Sequence, residues 1–429
     1  MSNALHDAPP LPPWLQPKIA ALARDLAGFD AIVPQGMLAS PLLRMLGDLA
    51  AKLPGGTPSC ATADAPPIVS AFAPLVLLAD GDAVARVTGM PEEKLRTLRA
   101  GRGLVVFDGS NEGRVFARQY VANIHRALEA HGIPAGRAVW IQQNQRLERV
   151  YVARFGRPGS APLRILSGHM HAAEMWRGLV GHRKLHWRFG FALEPQGPRR
   201  HRWICLNNNL RPHRALLVTW LLGRREPGFL SFSAAQELRV RVDRARLLQA
   251  VRRFAPDEPD AACRAVERLL DKGEHHSSDI DTFTSPDERI YTLPVAEVAA
   301  AELFIVTETE MANPGLLRWT EKTLKAIGSG LPIVVFGNPG VIAALRRIGF
   351  DLLDDLVDHT YDSVLMPSRR FAAAKAAVER FLARPPGFTA AEMARLHAAS
   401  VHNRRIFLHA ILRHSLLNPL ERLVEAARG

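Results

Sequence analysis

Two four-residue apolar runs constrain this chain most: LFIV at 303–306 and IVVF at 333–336. Each is too short for a buried helix and reads as a buried strand. The first ends in a polar tip, Thr307-Glu308-Thr309-Glu310, and the second in Gly337-Asn338-Pro339-Gly340. Between them Thr320-Glu321-Lys322 opens a helical pattern, with Thr320 as its N-cap. Strand, polar tip, helix and strand in that order predict a parallel sheet. Both tips then fall on the sheet edge where open α/β proteins bind their ligands. That places Glu308, Glu310, Glu321, Lys322, Gly337 and Asn338 in one candidate site.

The same pattern recurs. Residues 104–107 form an apolar run followed by DGSNEG and a long helix to about 131. Residues 138–141 form the next, ending at Gln142, Gln143 and Asn144, and an earlier strand lies within 68–78. After the turn-rich segment QGPRR at 196–200, a second series starts with the strand 203–206. A helix over 212–222 follows, with Pro212 at its first position and Arg211, His213 and Arg214 around its start. Helices are also expected over 15–26, 240–254, 261–270 and 389–427, with a polar loop over 272–287. No period of 20–50 residues marks a repeat array. The expected organisation is a disordered tail over 1–14, an α/β domain over 15–198, a second over 199–385 and C-terminal helices over 386–429.

The chain's 429 residues suffice for two or three domains, and 47% hydrophobic with 23% charged residues is the balance of a globular protein. No apolar run approaches the roughly 20 residues that cross a bilayer, and the proline-rich start lacks a signal-peptide pattern. Three widely spaced cysteines, Cys60, Cys205 and Cys263, suggest neither a disulfide framework nor a zinc site. A reducing cytoplasm is expected, with contact at an anionic inner-membrane face as an option that the net charge of +13 leaves open. That charge also favours nucleotide diphosphates. The chain lacks the signatures of common nucleic-acid-binding folds, which disfavours nucleic acid as a partner.

Lys322 is the oddest residue, because a cation in the first helical turn opposes the helix dipole at a cost of roughly 0.3–1 kcal/mol. An anionic ligand reverses that sign; the structural alternative is a solvated lysine paired with Glu321 or Glu310. Arg211 and Arg214, at i and i+3 on a strand-to-helix turn, suit phosphate contacts or form a plain surface pair. Asp108 and Glu112 follow the 104–107 strand, and Glu112 is a candidate general base or a helix N-terminal carboxylate. Gln142, Gln143 and Asn144 could bond hydroxyls. Asp279 and Asp281, and His169, His171 and Glu174, are short metal-like groupings without a specific metal-binding spacing. Arg177, His182, Arg183, Lys184, His186, Trp187 and Arg188 form a basic run suited to an anionic surface, a nucleic-acid backbone or plain solvation.

Residues 304–309, Thr320-Glu321-Lys322 and 332–337, with the phrase LRRIGFDLLDDLVDHTYD at 345–362, resemble the donor-binding motif of α-1,3-fucosyltransferases and related bacterial and phage glycosyltransferase-like proteins. The resemblance covers roughly residues 200–365. It implies two Rossmann-like domains facing a cleft, the GT-B architecture, with a nucleotide-diphosphate sugar as donor substrate, no cofactor and no metal. Lys322 and Arg214 would hold the pyrophosphate, Glu321 the ribose, and Glu308 and Glu310 the sugar hydroxyls, with Arg211, Gly337 and Asn338 completing the donor site. Lys322 would stabilise the leaving group, and the first domain would bind a glycan, lipid-linked or protein acceptor and supply the base, Glu112. The chain departs from the motif in having Glu308-Thr309-Glu310 for Glu-Asn-Ser, a longer gap to Thr320, and Trp319 in place of a tyrosine. The alternative reading is therefore a non-catalytic nucleotide- or glycan-binding protein on a degenerate glycosyltransferase fold.

Overall fold

The computed structural model describes residues 11–27, 29–32, 40–54, 67–72, 91–113, 118–155, 162–181, 189–194, 199–207, 210–233, 243–272, 275–276 and 291–429. The chain is mixed α/β with parallel sheets, and it divides into two compact units, 1–181 with 411–429, and 182–410. The sequence places the break at 198/199 and groups 386–429 as one block. In the structure that block is shared between the units. No helix among the described residues is long and apolar enough to cross a membrane.

The first unit opens with α1 (Gln16–Ala27), β1 (Asp30–Ile32), α2 (Pro41–Ala50), β2 (Pro67–Phe72) and α3 (Glu92–Arg99). It continues through β3 (Leu104–Gly109), α4 (Arg118–Ala130), β4 (Ala138–Gln142), α5 (Leu147–Phe155), β5 (Arg164–Ser167) and α6 (Met170–Gly181). Its strands are parallel and run in chain order, β1-β2-β3-β4-β5. Phe107 is in register with Trp140, and Trp140 with Ile165. These side chains share a sheet face and form one core with Leu98, Ile124, Leu128 and Tyr151 of α3, α4 and α5. Every residue of β3 is buried, including Asp108. Its carboxylate accepts from Ser40 Oγ, from Leu42 N at 3.2 Å and from Ser110 N at 2.9 Å. Burial nevertheless pushes that carboxyl above the usual range. Asp108 therefore joins the start of α2 to the end of β3.

The second unit contains β6 (Trp203–Leu206), α7 (Pro212–Leu222), β7 (Gly228–Ser233), α8 (Arg244–Arg252), α9 (Pro259–Asp271) and β8 (His275–His276). It continues with α10 (Val295–Ala299), β9 (Phe304–Thr307), α11 (Glu321–Ser329), β10 (Ile333–Phe336), α12 (Val341–Ile348), α13 (Pro367–Leu382) and α14 (Ala390–Ile406). The strand order is β10-β9-β6-β7-β8, parallel except for the β7–β8 pair. From β6 the chain builds outward on one side through β7 and β8, then crosses back to add β9 and β10 on the other. The direction reverses between β6 and β9, the place where doubly wound sheets open a crevice beyond the strands' carboxyl ends. At the β10 edge, Val335 N donates to the Tyr361 hydroxyl at 2.9 Å, so one outward N–H of this edge strand is occupied. After α14 the helix widens into π turns, Phe407–Ile411 and Arg413–Leu417, and ends as α15 (Asn418–Arg428), which belongs to the first unit.

Candidate functional site at the β6–β9 crevice

Beyond the last paired residues of β6 and β9, Asn207 and Thr307 join the two strands. Thr307 Oγ1 donates to Asn207 Oδ1 at 2.6 Å, while Asn207 Nδ2 donates to Cys205 Sγ at 3.2 Å. Burial pushes the Cys205 thiol up to about 12, so it stays neutral. The next residue of β9's tip is Glu308, only 3% exposed. Its Oε1 accepts from Thr320 N at 2.9 Å and Thr323 Oγ1 at 2.5 Å, tying the start of α11 to the strand end. Its Oε2 is buried and has no hydrogen-bond partner among the described residues. A buried carboxylate oxygen left this way costs free energy until a donor reaches it.

Arg214 and His213 hold the backbone of the same strand tip. Arg214, 2% exposed, donates through Nη2 to the Thr307 and Glu308 carbonyls, each at 3.1 Å. His213 Nε2 lies 3.0 Å from the same Glu308 carbonyl. Burial and then the neighbouring Arg214 charge pull this imidazole down to about 3, so it is neutral and donates its Nε2–H to the carbonyl. Burial, followed by the charge of Arg211, lowers Arg214 to about 10, and Glu308 and Glu321 oppose that shift. Arg211 itself is exposed and stands at the N-cap of α7, where no described side chain caps the helix.

The sequence-derived residues thus take different positions. Thr320 caps α11 by accepting from Lys322 N at 3.3 Å. Lys322 pairs with Glu321 through Nζ and Oε1 and remains partly exposed. Glu310 is half-buried at the tip. Asn338 is buried, and its Oδ1 accepts from Asn313 N at 2.9 Å. A Cβ on Gly337 would stand 3.2 Å from Glu308 Cγ, so glycine leaves room for that side chain. Arg214 is shielded from solvent and its Nη2 serves two backbone carbonyls, whereas Arg211 is exposed. Glu112 lies half-buried in the first unit, where its carbonyl accepts from Gln143 N at 2.9 Å.

Of the remaining groupings, the described residues make the following bonds. Gln142 Nε2 donates to Asn144 O at 2.8 Å, and Gln143 Nε2 donates to Ser110 O at 3.0 Å. His169 Nδ1 accepts from Ala172 N at 3.2 Å, Glu174 pairs with Arg177, and Arg177 also reaches Asp48. Asp279, Asp281 and residues 182–188 lie outside the described residues.

Two further participants carry little signal in the sequence. Arg370 of α13 donates to the carbonyls of Gly337, Val364, Leu365 and Met311, fixing the β10 tip. Lys325, one turn beyond Lys322, donates to Thr292 O at 3.0 Å, and burial draws its ammonium down to about 8. The i+3 spacing from Lys322 is the only sequence signal for Lys325. The chain matches no known protein-family model and no curated protein sequence.

Proposed function

We propose that the second unit binds a nucleotide-diphosphate sugar at the β6–β9 crevice and that the chain is a glycosyltransferase of the two-domain GT-B type. The observation that carries this reading is the coincidence at one strand-order reversal of a helix start that no described side chain caps, two accessible cations and the Oε2 of Glu308, which has no hydrogen-bond partner among the described residues. Arg211, the first turn of α7 and Lys322 suit a pyrophosphate. Glu308 Oε2 accepts from a donor hydroxyl and Glu321 from the ribose, while Arg214 positions the strand tip.

In the transfer, a base on the first unit, for which Glu112 is the candidate, takes the acceptor's hydroxyl proton. The acceptor oxygen bonds to the anomeric carbon as the bond from that carbon to the diphosphate oxygen breaks. The nucleoside diphosphate departs with the electron pair, and Lys322 and Arg211 offset its growing charge.

Calorimetry of wild type and Lys322→Ala against nucleoside diphosphates and their sugars tests the site. Selective binding by wild type, weakened at least tenfold in the variant, is expected. Equal binding by both, or none by wild type, overturns it. A binding protein without turnover is favoured by the other half of Glu308, whose Oε1 only anchors α11. Nucleotide binding without release of nucleoside diphosphate from any donor would select that reading.

A further inference from the structure

A groove of about 680 Å³ lies in the helical layer of the second unit, between α7, the turn from α8 to α9, and the start of α13. It shares no lining residue with the group around Glu308. Trp220, Phe254, Phe371 and Leu216 give it an apolar wall. Two helices of more than eight residues begin on it, α9 and α13, each with proline in its first turn and no side-chain cap among the described residues. In α13 the first amide bonded back to the helix start is Arg370 N, to Met366 O at 2.9 Å, which leaves those of Ser368 and Arg369 ahead of it. The partial positive charge of that helix start is directed at the groove.

A second observation points to a ligand. Ser368 lines the groove and is 8% exposed, yet its hydroxyl bonds to no described residue. Lys375, two turns along α13, is half-buried and also lines the groove. Its Nζ stands 5.1 Å from the Trp220 ring centroid and donates no hydrogen bond to any described residue. Burial holds this ammonium below its ordinary pKa. Arg369, exposed, adds a third donor on the same wall. The groove's carboxylates, Asp257 and Glu258, are exposed at its α9 rim.

We propose that this groove binds a small organic oxyanion, with its charged head on the α13 wall at Ser368, Arg369 and Lys375 and an apolar body against Trp220, Phe254 and Phe371. The head meets a helix start, a free hydroxyl and two cations, and the ring meets an aromatic wall. This site is independent of the donor site.

Phenyl phosphate is the probe, with inorganic phosphate and phenol as its separate halves. Calorimetry on the full-length protein should show phenyl phosphate binding more tightly than either half. Lys375→Met, which keeps the side-chain stem on Trp220, should weaken it about tenfold or more, and Ser368→Ala a few-fold. Lys322→Ala should leave it unchanged. No binding by wild type at millimolar probe, undiminished binding by Lys375→Met, or loss in Lys322→Ala would each overturn the assignment. If Lys375→Met does not fold, a crystal of wild type soaked in phenyl phosphate decides: density in the groove supports the site, and density only elsewhere refutes it.

Discussion

At the residue scale, Glu308 separates two roles within one carboxylate. Glu308→Gln keeps a carbonyl oxygen for Thr320 N and Thr323 Oγ1 and replaces the partnerless oxygen with an amide donor. Its midpoint in urea should stay near wild type, while affinity for the sugar nucleotide falls about tenfold or more. Glu308→Ala strands both α11 donors and should cost about 1–3 kcal/mol in the same unfolding measurement. A glutamine variant that binds normally would leave Glu308 as an anchor only. His213 gives a pH dependence of defined sign. The unfolded imidazole takes up a proton near pH 6.5, whereas the folded one does so only at about 3. Stability from this group is thus present above pH 6.5 and lost as the pH falls, by about 2–3 kcal/mol at pH 4.5. His359 and His414 act in the same direction, and Asp108, with its raised carboxyl, acts in the opposite one. Comparing urea unfolding of wild type and His213→Gln at pH 7 and pH 4.5 isolates the His213 share, because the variant should lose less stability on acidification.

At the element scale, α11 shows what is legible in the sequence. Its start can be read because the signals are local: a threonine cap, an acidic first turn and an apolar run on either side. Strands 203–206 and 333–336 are legible for the same reason, as short apolar runs closed by polar tips. Strand β7 escapes such a reading because it opens on glycine and alternates serine with apolar residues, and α6 because glycine and histidine interrupt its pattern. Strand order is beyond reach, since the pairing of Ile204 with Phe304 joins residues a hundred apart. The same holds for Arg370, whose role depends on carbonyls from three separate stretches of chain. The end of α11 makes a sharper prediction. Gly330 has φ +88°, and a Cβ there would come within 2.9 Å of Gly190 Cα and 3.0 Å of Leu193 Cγ. Gly330→Ala should destabilise by about 2–4 kcal/mol, from left-handed strain plus overpacking. Gly387, at φ +89° and with no described atom within 4 Å of where a Cβ would stand, supplies the control: alanine there should cost only about 1 kcal/mol. Equal losses in thermal or urea unfolding would show that backbone strain, not the contact with Gly190, sets the cost.

At the scale of the whole molecule, the chain leaves the first unit after Gly181, builds the second, and returns at Ile411 to finish the first. The first unit is therefore discontinuous, and its stability depends on residues 411–429. Leu416, Leu420 and Leu423 are fully buried, His169 N donates to Ser415 O at 3.1 Å, and Arg422 pairs with Glu148. A Cβ on Gly168, just past β5, would meet Ile141, Leu42 and Pro419, so the start of α15 closes directly over the sheet. Leu420→Ala removes a fully buried side chain from this closure and should cost about 2–5 kcal/mol. The loss should be local in a defined way. Hydrogen exchange followed by mass spectrometry should show protection falling in β3, β4, β5 and α1, with β9 and β10 unaffected, because those strands belong to the other compact unit. Equal loss in both sheets would mean that the units unfold as one cooperative body; unchanged protection throughout would mean that α15 is dispensable to the first. Local loss would also separate the two roles in the proposed function: under that proposal, a variant with a weakened first unit should still bind nucleotide at the β6 and β9 strand ends while losing transfer to acceptor.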